Sequence, residues 1–301
     1  MNSAEKRIRE LFPDATIKEN EPLAPYTSFK IGGPAEIFIE PSSVSELCEL
    51  MKALKELGIR PFVFGRGTNL LISDKGLPGV CIHMGEGLNS LRLSGETGIY
   101  AGAGVNMAVL ASFARDNSLK GLEFAHGIPG SVGGGIFMNA GAYGGEMKDV
   151  CIGVDAVSED GEAVHLDDCG FSYRHSCFEG NGLIITGAEF ALSKGDKDEI
   201  SDTMKTLSQK RASSQPLGLP SAGSAFKRPQ SGYAAAMIDA AGLKGFCVGG
   251  ARVSEKHAGF IVTDGNASFR DVIDLIEKVR EAVYKDCGTL LEPEVRIIGR
   301  I

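Results

Sequence analysis

A chain of 301 residues, 43% apolar and 23% charged, is long enough for an ample core and for two or three domains; glycine is abundant at 40 residues and tryptophan is absent. A net charge of −8 points away from nucleic acid and anionic membranes as partners, so an anionic ligand would need a locally positive pocket. The charged opening MNSAEKRIRELFPD has no secretory apolar region, no apolar run nears the ~20 residues that span a bilayer, and seven scattered cysteines never form C-x-x-C; a cytoplasmic protein with buried, reduced thiols is expected.

In chain order, EIFIE (36–40) reads as a strand. Ser43-Val44-Ser45-Glu46 then reads as a capping box opening a helix that turns Val44, Leu47, Cys48, Met51 and Leu54 inward and stops at Gly58. Pro61–Phe64 is a second strand, completing a β-α-β unit that delivers the loop Gly65-Arg66-Gly67-Thr68-Asn69. From about 80 to 190 short strands dominate. Asp160-Gly161 marks a hairpin, Asn181-Gly182 precedes a strand, and one helix is expected over Asn106–Asn117. The stretch 195–212 is charged and helical, and 213–223 is loop. Gly232–Ala241 is a helix ending at Gly242, GFIVT (259–263) a strand, and Ser268–Asp286 a helix with a second capping box, Ser268 to Asp271, burying Val272, Leu275, Ile276, Val279 and Val283. The terminal VRIIGRI reads as a strand returning to an earlier sheet. The expected domains are 1–78, 79–194 and 195–301, the last strand (about 292–301) rejoining the first.

The most unusual segment is GIPGSVGGGIFMNAGAYGG (127–145), in which eight residues are glycine. Bare backbone of this kind presents amides to an anion, above all a pyrophosphate. With the loop at 65–69 it suggests a dinucleotide; two tight turns of a glycine-rich β protein are the alternative, and composition does not separate them. Neither G-x-G-x-x-G nor a Walker A motif is present. Three polar groupings stand out: Tyr173-Arg174-His175-Ser176, Ser224 near Lys227 and Arg228, and Glu292 with Glu294. There is no G-x-S-x-G elbow, and the five histidines show no metal-binding spacing, so no metal is expected; His257 is the histidine of interest.

Seven motifs in order resemble the UDP-N-acetylenolpyruvoylglucosamine reductase family: YTSFKIGGPA (26–35), VFGRGTNLLISD (63–74), GIPGSVGGGIFMNAGAYGGE (127–146), YRHSCF (173–178), QKRASSQPLGLPSAGSAFKRP (209–229), AGLKGFCVGGARVSEKHAGFIV (241–262) and EPEVRIIG (292–299). The short spacing between Arg174 and Ser224 is similar to that of the family's short form, which lacks an inserted substrate loop. The resemblance implies an α+β fold: a two-part FAD-binding fold of the vanillyl-alcohol-oxidase (PCMH) type plus a C-terminal α+β substrate-binding domain. It implies a non-covalent FAD held by Gly65, Arg66, Gly67, Thr68 and Asn69, and by Gly127, Ile128, Pro129, Gly130, Ser131, Gly133, Gly134, Asn139, Ala140 and Gly141. Catalytic roles fall to Arg174, Ser224 and Glu294, and substrate contacts to Tyr173, Lys227, Gln215 and His257. NADPH is the implied hydride donor and a sugar nucleotide, UDP-N-acetylglucosamine enolpyruvate, the implied substrate. Arg174 and Glu294, the latter with a raised pKa if protonated, stabilise an enolate that Ser224 protonates. Arg228 and Gly259 depart from the family pattern, which has asparagine there. Another flavin oxidase of this fold, or a binding module without turnover, are the alternatives. With no exposed heptad or apolar stripe, a monomer is expected.

Overall fold

The computed structural model describes residues 3–12 and 15–300. Met1, Asn2, Pro13 and Asp14 of the charged N-terminal stretch, and Ile301 of the predicted last strand, lie outside the described residues. The chain divides into two compact units, each assembled from three separate stretches: Met1–Glu19, Ile37–Arg66 and Gly79–Gln209 in one, Asn20–Glu36, Gly67–Pro78 and Lys210–Ile301 in the other.

The first unit holds helices α1 (Ser3–Leu11), α2 (Val44–Glu56), α3 (Met107–Asp116), α4 (Val132–Phe137) and most of α5 (Lys197–Ser214). Its larger sheet is antiparallel, ordered Ala163–Leu166, Cys151–Val157, Ile184–Ala191, Gly98–Gly102, Leu91–Ser94. The predicted Asp160-Gly161 turn joins the first two strands, with Gly161 at φ +71°. A second sheet orders Thr16–Pro22, Pro34–Glu40, Leu77–His83 and Phe62–Phe64. The predicted β-α-β unit is therefore opened: Leu77–His83 stands between its two strands and pairs parallel with Phe62–Phe64. Helix α2 buries Leu47, Leu50, Met51 and Leu54 in one core with Ile37, Ile39, Val80 and Ile82, each such side chain worth about 1.5–3 kcal/mol against exposure. Its N-terminus corrects the predicted capping box. Ser43 Oγ accepts the Glu46 amide at 3.1 Å, but the Glu46 carboxylate turns back to the amide and hydroxyl of Ser42.

Two further findings differ from the sequence expectation. The glycine stretch is not all loop, because α4 lies inside it, capped by Ser131. Helix α5, grouped by sequence with the C-terminal part, places its two buried side chains, Ile200 and Met204, in the core of the first unit.

In the second unit a three-stranded antiparallel sheet, Cys247–Val248, Ala251–Val253 and Ile261–Thr263, accompanies helices α6 (Ala234–Ala240) and α7 (Phe269–Cys287). Helix α7 buries Val272, Leu275, Ile276, Val279 and Val283 against Ala251, Val253 and Ile261. Its capping box is complete: Ser268 Oγ accepts from Asp271 N at 3.1 Å and Asp271 Oδ2 from Ser268 N at 2.9 Å. The chain does return at its end, where Arg296–Ile298 pairs parallel with Leu70–Ile72.

All seven cysteines are free. Burial holds for Cys81 and Cys169, whereas Cys247 and Cys287 are exposed, correcting the expectation of uniformly buried thiols: Cys247 opens a two-residue edge strand and Cys287 is the last residue of α7, beyond its buried stripe. Among the described residues no helix is long and apolar enough to cross a membrane.

Candidate active site

In the first unit, two predicted backbone loops meet. Ser131 is buried, and its hydroxyl accepts the Gly134 amide at 3.4 Å, starting α4. A Cβ built on Gly65 would stand 2.4 Å from that hydroxyl, so only glycine lets the chain pass over the cap. The amides of Gly65, Arg66, Gly127, Gly130 and Ser131 donate to no protein acceptor among the described residues. Unpaired amides on glycine-rich backbone fit a pyrophosphate. The site therefore suits the phosphates of a dinucleotide held by main chain.

Not every residue of the predicted cradle is free for a ligand. The Gly133 amide bonds Ala103 O, and a Cβ there would meet Ala103 Cβ at 2.9 Å, so this glycine allows α4 to pack. The amides of Ile128 and Ala140 go to Ala125 O and Gly135 O. Gly134 is open: a Cβ built on it would have only Ser131 Oγ nearby, at 3.5 Å.

Beyond α4 the chain turns as a small hairpin, Gly141 pairing with Glu146, with Tyr143 and Gly144 at its tip at φ +54° and +91°. A second tight turn carries Tyr173 and Arg174. Ser172 N donates to His175 O (3.1 Å) and His175 N to Ser172 O (3.2 Å), leaving Arg174 at φ +55°. A left-handed arginine is uncommon. The guanidinium lies 5.4 Å from the Tyr173 ring and donates through Nη1 to Gly141 O at 3.4 Å. Beside it, Glu146 is held below the usual carboxylate range, first by its bond from Lys148, then by Asn139 and the Arg174 charge. His175 pairs with exposed Glu179 instead, at 2.9 Å.

In the second unit, residues 224–227 run between two other segments. On one side Ser224 bridges Phe260 and Ala225 N donates to Gly259 O. On the other, Glu294 N donates to Ala225 O and Lys227 N to Glu292 O. The main chains of Ser224 and Glu294 therefore lie on neighbouring segments. Ser224 is half-buried, and its hydroxyl has no hydrogen-bond partner among the described residues. Lys227 Nζ meets Glu292 Oε1 at 2.5 Å. Asn69, expected at the cofactor, uses its side-chain Nδ2 on Glu294 O at 3.1 Å and its carbonyl on Arg296 N. Gly67, at φ +58°, is pressed against the main chain of Tyr26, whose carbonyl a Cβ would meet at 2.2 Å, which accounts for the glycine at 67.

His257 packs edge-on to Phe260 with ring centroids 4.8 Å apart, and its Nδ1 accepts the Gly259 amide. Burial lowers its pKa, so it is neutral at pH 7. A Cβ on Gly259 would come within 3.1 Å of that ring, so the glycine leaves room for His257. Arg228 stacks on Tyr233 at 4.2 Å. Gln215 Oε1 is buried without a partner, as is the hydroxyl of Ser221. Orphaned buried acceptors and hydroxyls are sites for a ligand's polar groups or an ordered water. Ser221 was not singled out by sequence, where it reads as one more loop serine.

Residues 35–167 match the FAD binding domain, and residues 215–298 match the C-terminal domain of UDP-N-acetylenolpyruvoylglucosamine reductase. A UDP-N-acetylenolpyruvoylglucosamine reductase of Agathobacter rectalis is 45% identical over 98% of both chains. The chain belongs to the UDP-N-acetylenolpyruvoylglucosamine reductase family. A reductase of the same name from Caldanaerobacter subterraneus subsp. tengcongensis is 44% identical over 97% of each chain. The crystal structure of the Thermus caldophilus family member superposes with a TM-score of 0.82 at 33% identity, covering 95% of this chain and 99% of that one. As a family member the chain is an FAD-dependent oxidoreductase, built from the two-part FAD-binding fold and the family's C-terminal domain that its motifs imply. The unpaired amides around Gly65 and Ser131 are the groups that suit its FAD.

Proposed function

We propose that the chain reduces UDP-N-acetylglucosamine enolpyruvate to UDP-N-acetylmuramate with NADPH as the electron source, a step in making peptidoglycan precursors in the bacterial cytoplasm, and that it works as a monomer. The observation that carries this reading is near-full-length identity to relatives named for that reductase. FAD, when bound, supplies the two-electron relay between NADPH and the enolpyruvyl C=C.

The chain's own residues handle charge and the proton. Hydride addition at the terminal carbon leaves negative charge that spreads from the adjacent carbon into the substrate carboxylate. Arg174, left-handed on its turn and held by Gly141 O, offers a planar fork of N–H donors to such a carboxylate as the charge grows. Tyr173 lines the same turn. Ser224 then protonates the carbon: a hydroxyl is a weak acid, but the enolate is a strong base, and this hydroxyl has no protein acceptor to leave. Lys227 spends one of its three donors on Glu292 and eases the transient alkoxide with the rest. Glu294, fixed through its main chain by Ala225 and Asn69, polarises the substrate carboxylate when its own carboxyl carries a proton to donate. Gln215 Oε1 accepts from a donor on the sugar nucleotide.

The test is anaerobic and spectroscopic. A yellow protein that bleaches with NADPH and regains colour with the enolpyruvyl sugar nucleotide supports the reading. Bleaching without recovery refutes the substrate; a protein that takes up no FAD refutes the cofactor site.

A further inference from the structure

Asn139 has a position that flavin binding does not explain. It is 1% exposed and sits at φ +41°, a left-handed conformation that asparagine tolerates better than most residues. Both hydrogens of its amide are spent inside the protein: Nδ2 donates to Glu146 Oε2 and to Ser172 O, each at 3.0 Å, while Oδ1 accepts the Lys148 amide at 3.0 Å. Ser172 O is also the carbonyl that closes the turn carrying Arg174. The far leg of that turn is pinned as well, by Ser176 Oγ donating to Phe137 O at 2.8 Å. Through Phe137 and Asn139, the turn is fastened to the end of α4 and the residues just after it. Glu146, the other acceptor, belongs to the hairpin whose Gly141 carbonyl receives the Arg174 guanidinium.

From these contacts we propose that Asn139 is a positioning residue for Arg174, tying the Tyr173–Arg174 turn to the glycine stretch so that the guanidinium meets the substrate carboxylate in one orientation. This rests on the role proposed above for Arg174. Tyr173 is about half exposed beside Arg174 on a two-residue turn, and the Asn139 tether adds to the Ser172–His175 and Ser176–Phe137 bonds in fixing where that turn stands. A misplacement of about 1 Å at a catalytic group costs on the order of 10²-fold in rate.

Asn139→Gly is the informative variant, because glycine accepts the left-handed backbone and the loss is confined to the side chain's bonds to Glu146, Ser172 and Lys148. Four holoenzymes are compared by stopped flow: the parent, Asn139→Gly, Arg174→Lys and the double variant. Flavin reduction by NADPH and reoxidation by the enolpyruvyl sugar nucleotide are followed separately. Asn139→Gly is expected to slow reoxidation by roughly 10- to 100-fold, to change flavin reduction by less than about threefold, and to add little in the Arg174→Lys background, as coupled residues do. Equal losses in both backgrounds, or an equal loss in both half-reactions, overturn the proposal. Reoxidation that is unimpaired in Arg174→Lys removes the role of Arg174 itself and the proposal with it. Should Asn139→Gly give no holoenzyme, Asn139→Asp, which keeps the acceptor for Lys148 and deletes both donors, carries the same expectations.

Discussion

A hydroxyl poised to give up a proton is best left without a competing acceptor, and Ser224 is such a group, half-buried and unbonded between the segments at 259–260 and 292–294. Replacing it by alanine removes a general acid, worth about 10²–10⁴-fold. Ser224→Ala is expected to lose reoxidation by substrate to that extent while NADPH still bleaches the flavin; equal loss in both half-reactions would refute the proton-donor role. Gly65→Ala makes a contrasting case. The added methyl meets Ser131 Oγ at 2.4 Å, so the cap of α4 and the neighbouring amides must shift together. The expected result is a loss of about 1 kcal/mol, the usual worth of an N-cap, with weaker FAD retention, read by thermal unfolding and by the flavin absorbance of the purified protein. Unchanged flavin content in a protein of parental stability would show that the loop does not touch the cradle. Residue types such as these are legible in sequence because their chemistry is local. What Asn139, Asn69 and Gly133 do was not: each was grouped with the cofactor by its motif, yet their bonds to Ser172, Glu294 and Ala103 span tens to hundreds of residues of chain or depend on helix packing.

At the scale of elements, caps and periodicity were readable where they acted within one helix. Helix α7 has the capping box and the inward stripe that the sequence indicates, and it ends at a left-handed Gly288. Ser268→Ala should therefore cost about 1 kcal/mol, a drop in Tm of roughly 1–2 °C at the usual unfolding entropy per residue for a chain this long, with no change in either half-reaction. A Tm within error of the parent would mean that the Asp271 half of the box, which bonds Ser268 N regardless of its side chain, suffices. Helix α2 shows the limit of this reading, since Glu46 found a better partner in Ser42, outside the four-residue window. Helix α4 shows another. Three consecutive glycines carry poor helix propensity, and the helix exists because Gly133 and Gly135 let it approach Ala103 and Met107 closely, a tertiary cause. The strands of residues 247–253 are two and three residues long, too short to reveal a period.

At the scale of the whole chain, a linear reading divides the sequence into consecutive domains, whereas residues 20–36 and 67–78 belong with the C-terminal third. Their attachments include hydrogen bonds made at long range, one main-chain ladder and two bonds with a side chain on one side: Arg296–Ile298 along Leu70–Ile72, Thr263 Oγ1 to Phe29 O, and Phe269 N to Asp74 Oδ2. Hydrophobic pattern carries no information about such partners. Stability spread over both units should nonetheless show one pH signature. In the second unit, bonding from the Ser268 amide holds Asp271 below the ordinary carboxylate range, and burial lowers His257. In the first, burial lowers His126, while the bond to Asp155 raises His165. A lowered histidine stabilises the fold above its unfolded pKa of about 6.5, and this is lost as pH falls from that value through its lower folded pKa. A raised histidine acts oppositely, contributing below about 6.5 and losing its effect as pH rises through its folded value, but His165 is about half exposed and solvent screens it. A lowered aspartate contributes above about 3.9 and loses its effect as pH falls toward its folded value. The urea midpoint of the holoenzyme is therefore expected to decline between pH 7 and pH 5.5, and again below pH 4. Replacing His257 by glutamine should flatten the first decline and leave the second unchanged. Parallel curves for parent and variant across pH 7 to 5.5 would assign the slope to His126 instead, and a midpoint that rises on acidification would show that His165 outweighs both buried histidines.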